Sequence, residues 1–191
     1  VSPEQIDVAS APEVRGKKVP WEVCHTFSGS WGYYRDEMTW KSPEQLIGIL
    51  IDSVAADGNL IMNVGPTARG EFDHRAKDRL KWMRANGDAI YGCGAAPAEF
   101  KPPTGTSLTY NPVTKRLYVH IFKYPCERMS CEFWNRIAYA QFLHDGSEVK
   151  VTPPPKQWDK AEGFHPVLFG GFKLPVVKPD VTVPVVECFL K

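Results

Sequence analysis

No stretch of eighteen or more apolar residues occurs in this sequence, which excludes a membrane-spanning helix. The first residues, VSPEQIDVASAPEVRGKK, lack the apolar core of a signal peptide. They also lack an initiating Met, and the expectation is a piece cut from a longer chain. Neither sign of charge is in excess. The formal net charge is +1, so neither nucleic acid nor a membrane surface is an expected partner. Cysteine is sparse: the five residues Cys24, Cys93, Cys126, Cys131 and Cys188 show no CxxC spacing. A zinc site is not expected, and an odd count does not complete a disulfide framework. Free thiols in or near the core are the expectation. No metal and no other cofactor is called for.

Proline and glycine are plentiful, with 17 and 15 residues, and proline crowds the second half. Such punctuation suits short strands joined by turns. The first half reads as α/β. Ser42 is a good N-cap, Pro43 fits the first helical position, and Gln45 can close a capping box. Leu46, Ile49, Leu50 and Val54 then form an apolar stripe, and Asp57-Gly58 ends the helix. Residues 60–64 (LIMNV) read as a parallel strand buried on both faces. An earlier strand is expected near 19–24. A second helix is expected over 74–86, with Asp73 as N-cap, Gly87 as stop, and Ala76, Leu80 and Met83 on one face.

In the second half the period changes to two. Leu117, Val119 and Ile121 alternate with Arg116, Tyr118 and His120, and residues 137–143, 148–152 and 183–190 are further strands. The expected fold class is α/β plus all-β: the closing portion of a (β/α)8-type barrel over 1–98, then an antiparallel β-sandwich over 99–191. A Gly/Pro/Ala-rich linker near 92–106 marks the boundary.

One stretch asks for a chemical reading. VPWEVCHTFSGSWGYYRDE, residues 19–37, sets two Trp, two Tyr and one Phe among Glu22, His25, Arg35, Asp36 and Glu37. Four motifs in order then carry a resemblance: Trp21-Glu22-x-Cys24; Ser30-Trp31-Gly32-Tyr33; Gly58-Asn59-Leu60-x-x-Asn63-Val64-Gly65-Pro66; and Asn86-Gly87-x-Ala89-Ile90-Tyr91-Gly92. Together they resemble the second part of the α-L-fucosidases of glycoside hydrolase family 29. Many members have Lys directly before the Trp, where this chain has Pro20. The resemblance implies retaining hydrolysis of α-L-fucosides and a partner that is a fucosylated glycan or small fucoside. It is compatible with an oligomer. It also implies an extracytoplasmic setting, whether secreted, periplasmic or lysosomal. The family's nucleophilic Asp lies on an earlier strand, ahead of this chain. The alternative reading is a non-catalytic carbohydrate-binding or accessory module derived from a fucosidase.

Retaining glycosidases use two carboxyl groups about 5–5.5 Å apart. One of them must still hold a proton near neutral pH, and apolar rings around a carboxyl group favour its neutral form. Glu22, beside Trp21, is the first candidate acid/base; the competing role is a strand-end ion pair with Arg35 or His25. Asp36 and Glu37 are the runners-up, against a solvated charge cluster with Arg35. Trp31 and Tyr34 are candidate sugar-facing rings. His25 is read either as a ligand of a sugar hydroxyl or as a core histidine. Asn63 either braces the site or holds the Gly65-Pro66 turn.

Overall fold

The computed structural model describes residues 12–74, 76, 81–154 and 170–191. A small hairpin opens it, with β1 (Glu13–Val14) paired to β2 (Lys17–Lys18) through a turn in which Arg15 and Gly16 have positive φ. Next come β3 (Glu22–Thr26), α1 (Pro43–Ala55) and β4 (Asn59–Asn63). β3 and β4 pair in parallel, Glu22 opposite Asn59 and Thr26 opposite Asn63. The helix that joins them starts where the sequence places it. Gln45 N donates to Ser42 Oγ (3.2 Å) and Ser42 N to Gln45 Oε1 (2.7 Å). It ends as Asp57 turns to φ +58 and Gly58 N donates to Ser53 O at 2.8 Å. Gly58 is required for a second reason: a Cβ there would run into the Trp21 ring, whose Nε1 donates to Ala56 O at 3.1 Å.

β3 begins two to three residues later than the sequence reading has it. Pro20 has no N–H to give a ladder, and pairing starts where Asn59 N donates to Trp21 O at 3.0 Å. Of the expected helix over 74–86, the described part is α2 (Lys81–Asn86) with His74 and Ala76 also helical, and Leu80 lies outside the described residues. α2 does not stop at Gly87 but tightens into a 3₁₀ turn, Gly87–Ala89.

The rest is built from antiparallel strands. β5 (Gly94–Ala95), β6 (Thr106–Asn111), β7 (Arg116–Ile121), β12 (Val185–Leu190) and β9 (Ile137–Phe142) form one sheet in that spatial order. β10 (Lys150–Thr152), β11 (Gly171–Lys173) and β8 (Arg128–Ser130) form the other. Leu117, Val119, Ile121, Val186 and Cys188 of the larger sheet meet Met129 and Phe172 of the smaller one in a single buried cluster. On the opposite face of the larger sheet, Tyr118 and Val185 pack against Ile47, Ile51 and Val54 of α1 and Trp82 of α2. Trp82 Nε1 donates to Val183 O at 2.8 Å, which ties the first half of the chain to the second.

The segment 92–106, expected as a linker, is in part packed against the sheets. Gly94 and Ala95 pair with Tyr110 and Thr109, and Phe100 sits in the core against the Phe133 ring. The thiols are all free, but only Cys131 and Cys188 are buried; Cys24 and Cys126 lie on the surface.

Candidate active site

The ring-rich stretch leaves the C-terminal end of β3 and returns to the start of α1, so it stands over the carboxyl ends of β3 and β4. This is the end at which α/β proteins bind their ligands. Thr26, Phe27 and Ser28 are buried at the strand end. Lys41 Nζ donates to Thr26 Oγ1 (3.5 Å) and Ser28 O (3.4 Å), and Lys41 N to Phe27 O (2.9 Å), which closes the base of the loop.

β4 fixes the far side. Asn63 Nδ2 donates to Trp31 O at 2.6 Å. Asn63 thus braces the loop and does not serve the Gly65-Pro66 turn. Two residues on, Gly65 lies so close to the Gly32 and Tyr33 backbone that a Cβ there has no room. Phe27, Ser28, Ser30, Gly32, Tyr33, Tyr34, Glu37, Trp40, Asn63, Val64 and Gly65 line a cleft whose cavity volume is about 10 Å³. That is space for one water and not for a sugar ring.

The carboxylates separate. Glu37 is 8% exposed and faces this cleft. Its Oε1 accepts from Thr39 N (2.8 Å) and Thr39 Oγ1, and its Oε2 accepts from Ser30 Oγ (2.9 Å). The Thr39 side chain, the Thr39 amide and the Ser30 hydroxyl lower its pKa to about 2, against a smaller opposing effect of burial. The surrounding rings do not keep it protonated, because hydrogen-bond donors reach it and the rings stay partly in solvent. Asp36 is exposed and pairs with its neighbour Arg35 at 3.0 Å, an arrangement worth little in water. Glu22 is the first residue of β3 and is exposed. Four strand steps, about 13 Å, separate it from Thr26 at the cleft end.

The candidate rings stay near the cleft. Trp31 is 51% exposed and Tyr34 57%, so both rings stand largely open to solvent. Tyr33 (40% exposed) and Trp40 also line or flank the cleft. Alternation along β3 turns half-buried His25 to the opposite face from Cys24, and it does not line the cleft. Among the described residues no cluster of His, Cys, Asp or Glu could hold a metal ion, and no helix is long and apolar enough to cross a membrane.

Residues 5–88 match the family model for α-L-fucosidase. An α-L-fucosidase of Branchiostoma floridae is 39% identical over 82 residues, which is 39% of this chain and 18% of that protein. The human plasma α-L-fucosidase is 33% identical over 113 residues, 55% of this chain and 24% of that one. In structure, α-L-fucosidase isoenzyme 1 of Paenibacillus thiaminolyticus superposes with a TM-score of 0.80 at 33% identity, over 96% of this chain and 43% of that one. The chain is thus similar to α-L-fucosidases, by a family model over residues 5–88 and by structure over most of its length. It spans about a quarter or less of those two curated relatives. The same fold recurs at 22% identity and a TM-score of 0.71 in a family 29 α-L-fucosidase of Bacteroides thetaiotaomicron solved as a trapped covalent intermediate.

Proposed function

We propose that this chain, similar to α-L-fucosidases, supplies one wall of the site of a retaining α-L-fucosidase that releases L-fucose from fucosylated glycans or small fucosides. The observation that carries the reading is the ring-bearing loop 27–41, braced by Asn63 and Gly65 over the carboxyl ends of two parallel strands. Exposed rings beside polar groups suit a sugar, which is apolar on one face and hydroxylated at its rim.

The fold reading is part of the same proposal. Parallel sheets are normally covered on both faces. Here Glu22 and Cys24 of β3, with Asn59 and Ile61 of β4, are exposed on one face while α1 packs on the other. An open face of that kind fits the expected closing portion of a (β/α)8 barrel, with the boundary falling ahead of β5 (Gly94–Ala95) and not at residue 98. The two facing antiparallel sheets fit the expected sandwich. A covered barrel would bring the nucleophile and the rest of the sugar pocket from other strands, in keeping with the one-water volume of the cleft.

A general acid must carry its proton at the working pH. Glu37 is held ionised, and Glu22 lies at the wrong end of its strand. The remaining loop carboxylate, Asp36, is exposed and engaged by Arg35, so it is tested against Glu22 by substitution. In the full-length protein, Asp36→Asn should lower turnover of a natural fucoside by roughly 10²–10⁴. Azide should restore turnover of an aryl fucoside in Asp36→Asn and not in Glu22→Gln. Rescue of Glu22→Gln instead would return the role to Glu22.

The reading itself is tested by substrate choice. The full-length protein should hydrolyse 4-nitrophenyl α-L-fucoside and leave the α-D-galactoside and β-D-glucoside untouched. Trp31→Ala should raise KM about tenfold and leave Tm within a few degrees, since the ring is half in solvent. Binding of fucosides without turnover would support the accessory-module reading.

A further inference from the structure

Glu37 is tied into its loop more fully than Asp36 beside it. Besides the bonds from Thr39 and Ser30, its own amide donates to Tyr34 O at 3.3 Å and its carbonyl accepts from Trp40 Nε1 at 3.2 Å. Thr39 Oγ1, which donates to the carboxylate, also accepts from Gly29 N at 2.9 Å. Ser30 Oγ lies 3.1 Å from Gly32 O as well. The carboxylate therefore gathers Ser30 from the outgoing limb and Thr39 from the returning limb, within the loop that carries Trp31, Tyr33 and Tyr34.

We propose that Glu37 is a positioning residue that clamps the loop and sets the ring platform for the sugar. It acts through Thr39 and Ser30 and takes no part in proton transfer. The geometry is that of an acceptor. Both oxygens are engaged by protein donors, and the bonds from Ser30 and Thr39 run across the loop. A loop that has to present several partly exposed rings has little burial of its own to hold it. A buried acceptor linking its two limbs supplies the missing constraint. The kinetic part of the proposal rests on the fucosidase reading; the structural part does not.

The test compares amide with methyl in the full-length protein. Glu37→Gln keeps an oxygen for Thr39 and places an NH₂ against Ser30 Oγ, which can turn to accept it. Glu37→Ala removes both acceptors, and Thr39→Val removes one donor and the link to Gly29. A clamp gives a two- to threefold rise in KM for Glu37→Gln and a rise of tenfold or more for Glu37→Ala. Thr39→Val falls between them, and kcat changes less than KM in all three. Hydrogen exchange at the amides of 29–40 should rise at least tenfold in Glu37→Ala and stay near the parent in Glu37→Gln. A roughly hundredfold or larger fall in turnover, equal in the Gln and Ala variants and rescued by azide, would make Glu37 the acid/base and overturn the proposal. Unchanged exchange in Glu37→Ala would overturn it too, whatever the activity. A protein with no fucosidase activity but with the predicted exchange pattern would sink the functional reading and keep the clamp.

Discussion

At the scale of single residues, the ring-rich stretch turns out to bury a carboxylate in order to fix it as an anion. Glu37 has a folded pKa of about 2, below its ordinary value of 4.5. The sign follows directly. The unfolded or opened loop takes up a proton first as pH falls, so the clamp contributes fully above about pH 4.5 and is lost toward pH 2. Arg35 next to it is engaged by Asp36, and Lys41 by Thr26 and Ser28. Exchange at amides 29–40, corrected for intrinsic rates, should therefore be nearly the same at pH 5 and pH 7. An opening with its midpoint well above pH 4.5 would contradict the assignment. Gly65 offers a second check. Any side chain there meets the Tyr33 backbone. Gly65→Ala should destabilise by about 1–3 kcal/mol, the range typical of forced overpacking, and should speed proteolysis within 28–41. A Tm equal to the parent's would show that the loop can slide away.

At the scale of elements, the parts governed by local chemistry are the legible ones. The capping box of α1, the Gly58 stop and strand β7 all appear where Ser42, Asp57-Gly58 and Leu117-Val119-Ile121 put them, although β7 is buried on both faces. Strands β6, β8 and β11 give no such signal. β8 and β11 have only three residues each, too few to display a period, and β6 (TSLTYN) is mostly polar. The site is half legible. Trp31, Tyr34 and Glu37 belong to the loop as expected, but the sequence reads Glu22 as a strand end when it is a strand start. The difference comes from Pro20, whose effect on register depends on the partner strand and is invisible locally. Tyr33, Ser30 and Gly65 carry no signal of their own except the motifs that contain them.

His120 belongs to this scale as well, because it is buried where the larger sheet meets α2 and the 3₁₀ turn. Thr109 Oγ1 donates to Ala89 O at 2.7 Å and so accepts from His120 Nε2 at 2.8 Å. Burial pushes the imidazole down to about 3 from an ordinary 6.5. The unfolded chain is the better proton acceptor between those values, so stability falls as pH drops below about 6.5. This one group accounts for a slope of up to about 1.4 kcal/mol per pH unit. Urea unfolding at pH 7, 6 and 5 should show a steeper decline for the parent than for His120→Leu. Parallel declines would mean that His120 is already charged in the folded state.

At the scale of the whole molecule, the two halves share one core through α1, Trp82 and the outer face of the larger sheet. The loop that bears the rings therefore leads into a helix that is itself seated on the sheet, and the second half is a foundation for that loop. The central proposal is that this foundation carries one wall of a retaining fucosidase. Its most direct test is the anomer released. Nuclear magnetic resonance of the full-length protein acting on an aryl α-L-fucoside should show α-L-fucose first, with the β anomer growing in only as the sugar mutarotates. β-L-fucose appearing first, or no release of fucose at all by the correctly folded protein, would contradict the account.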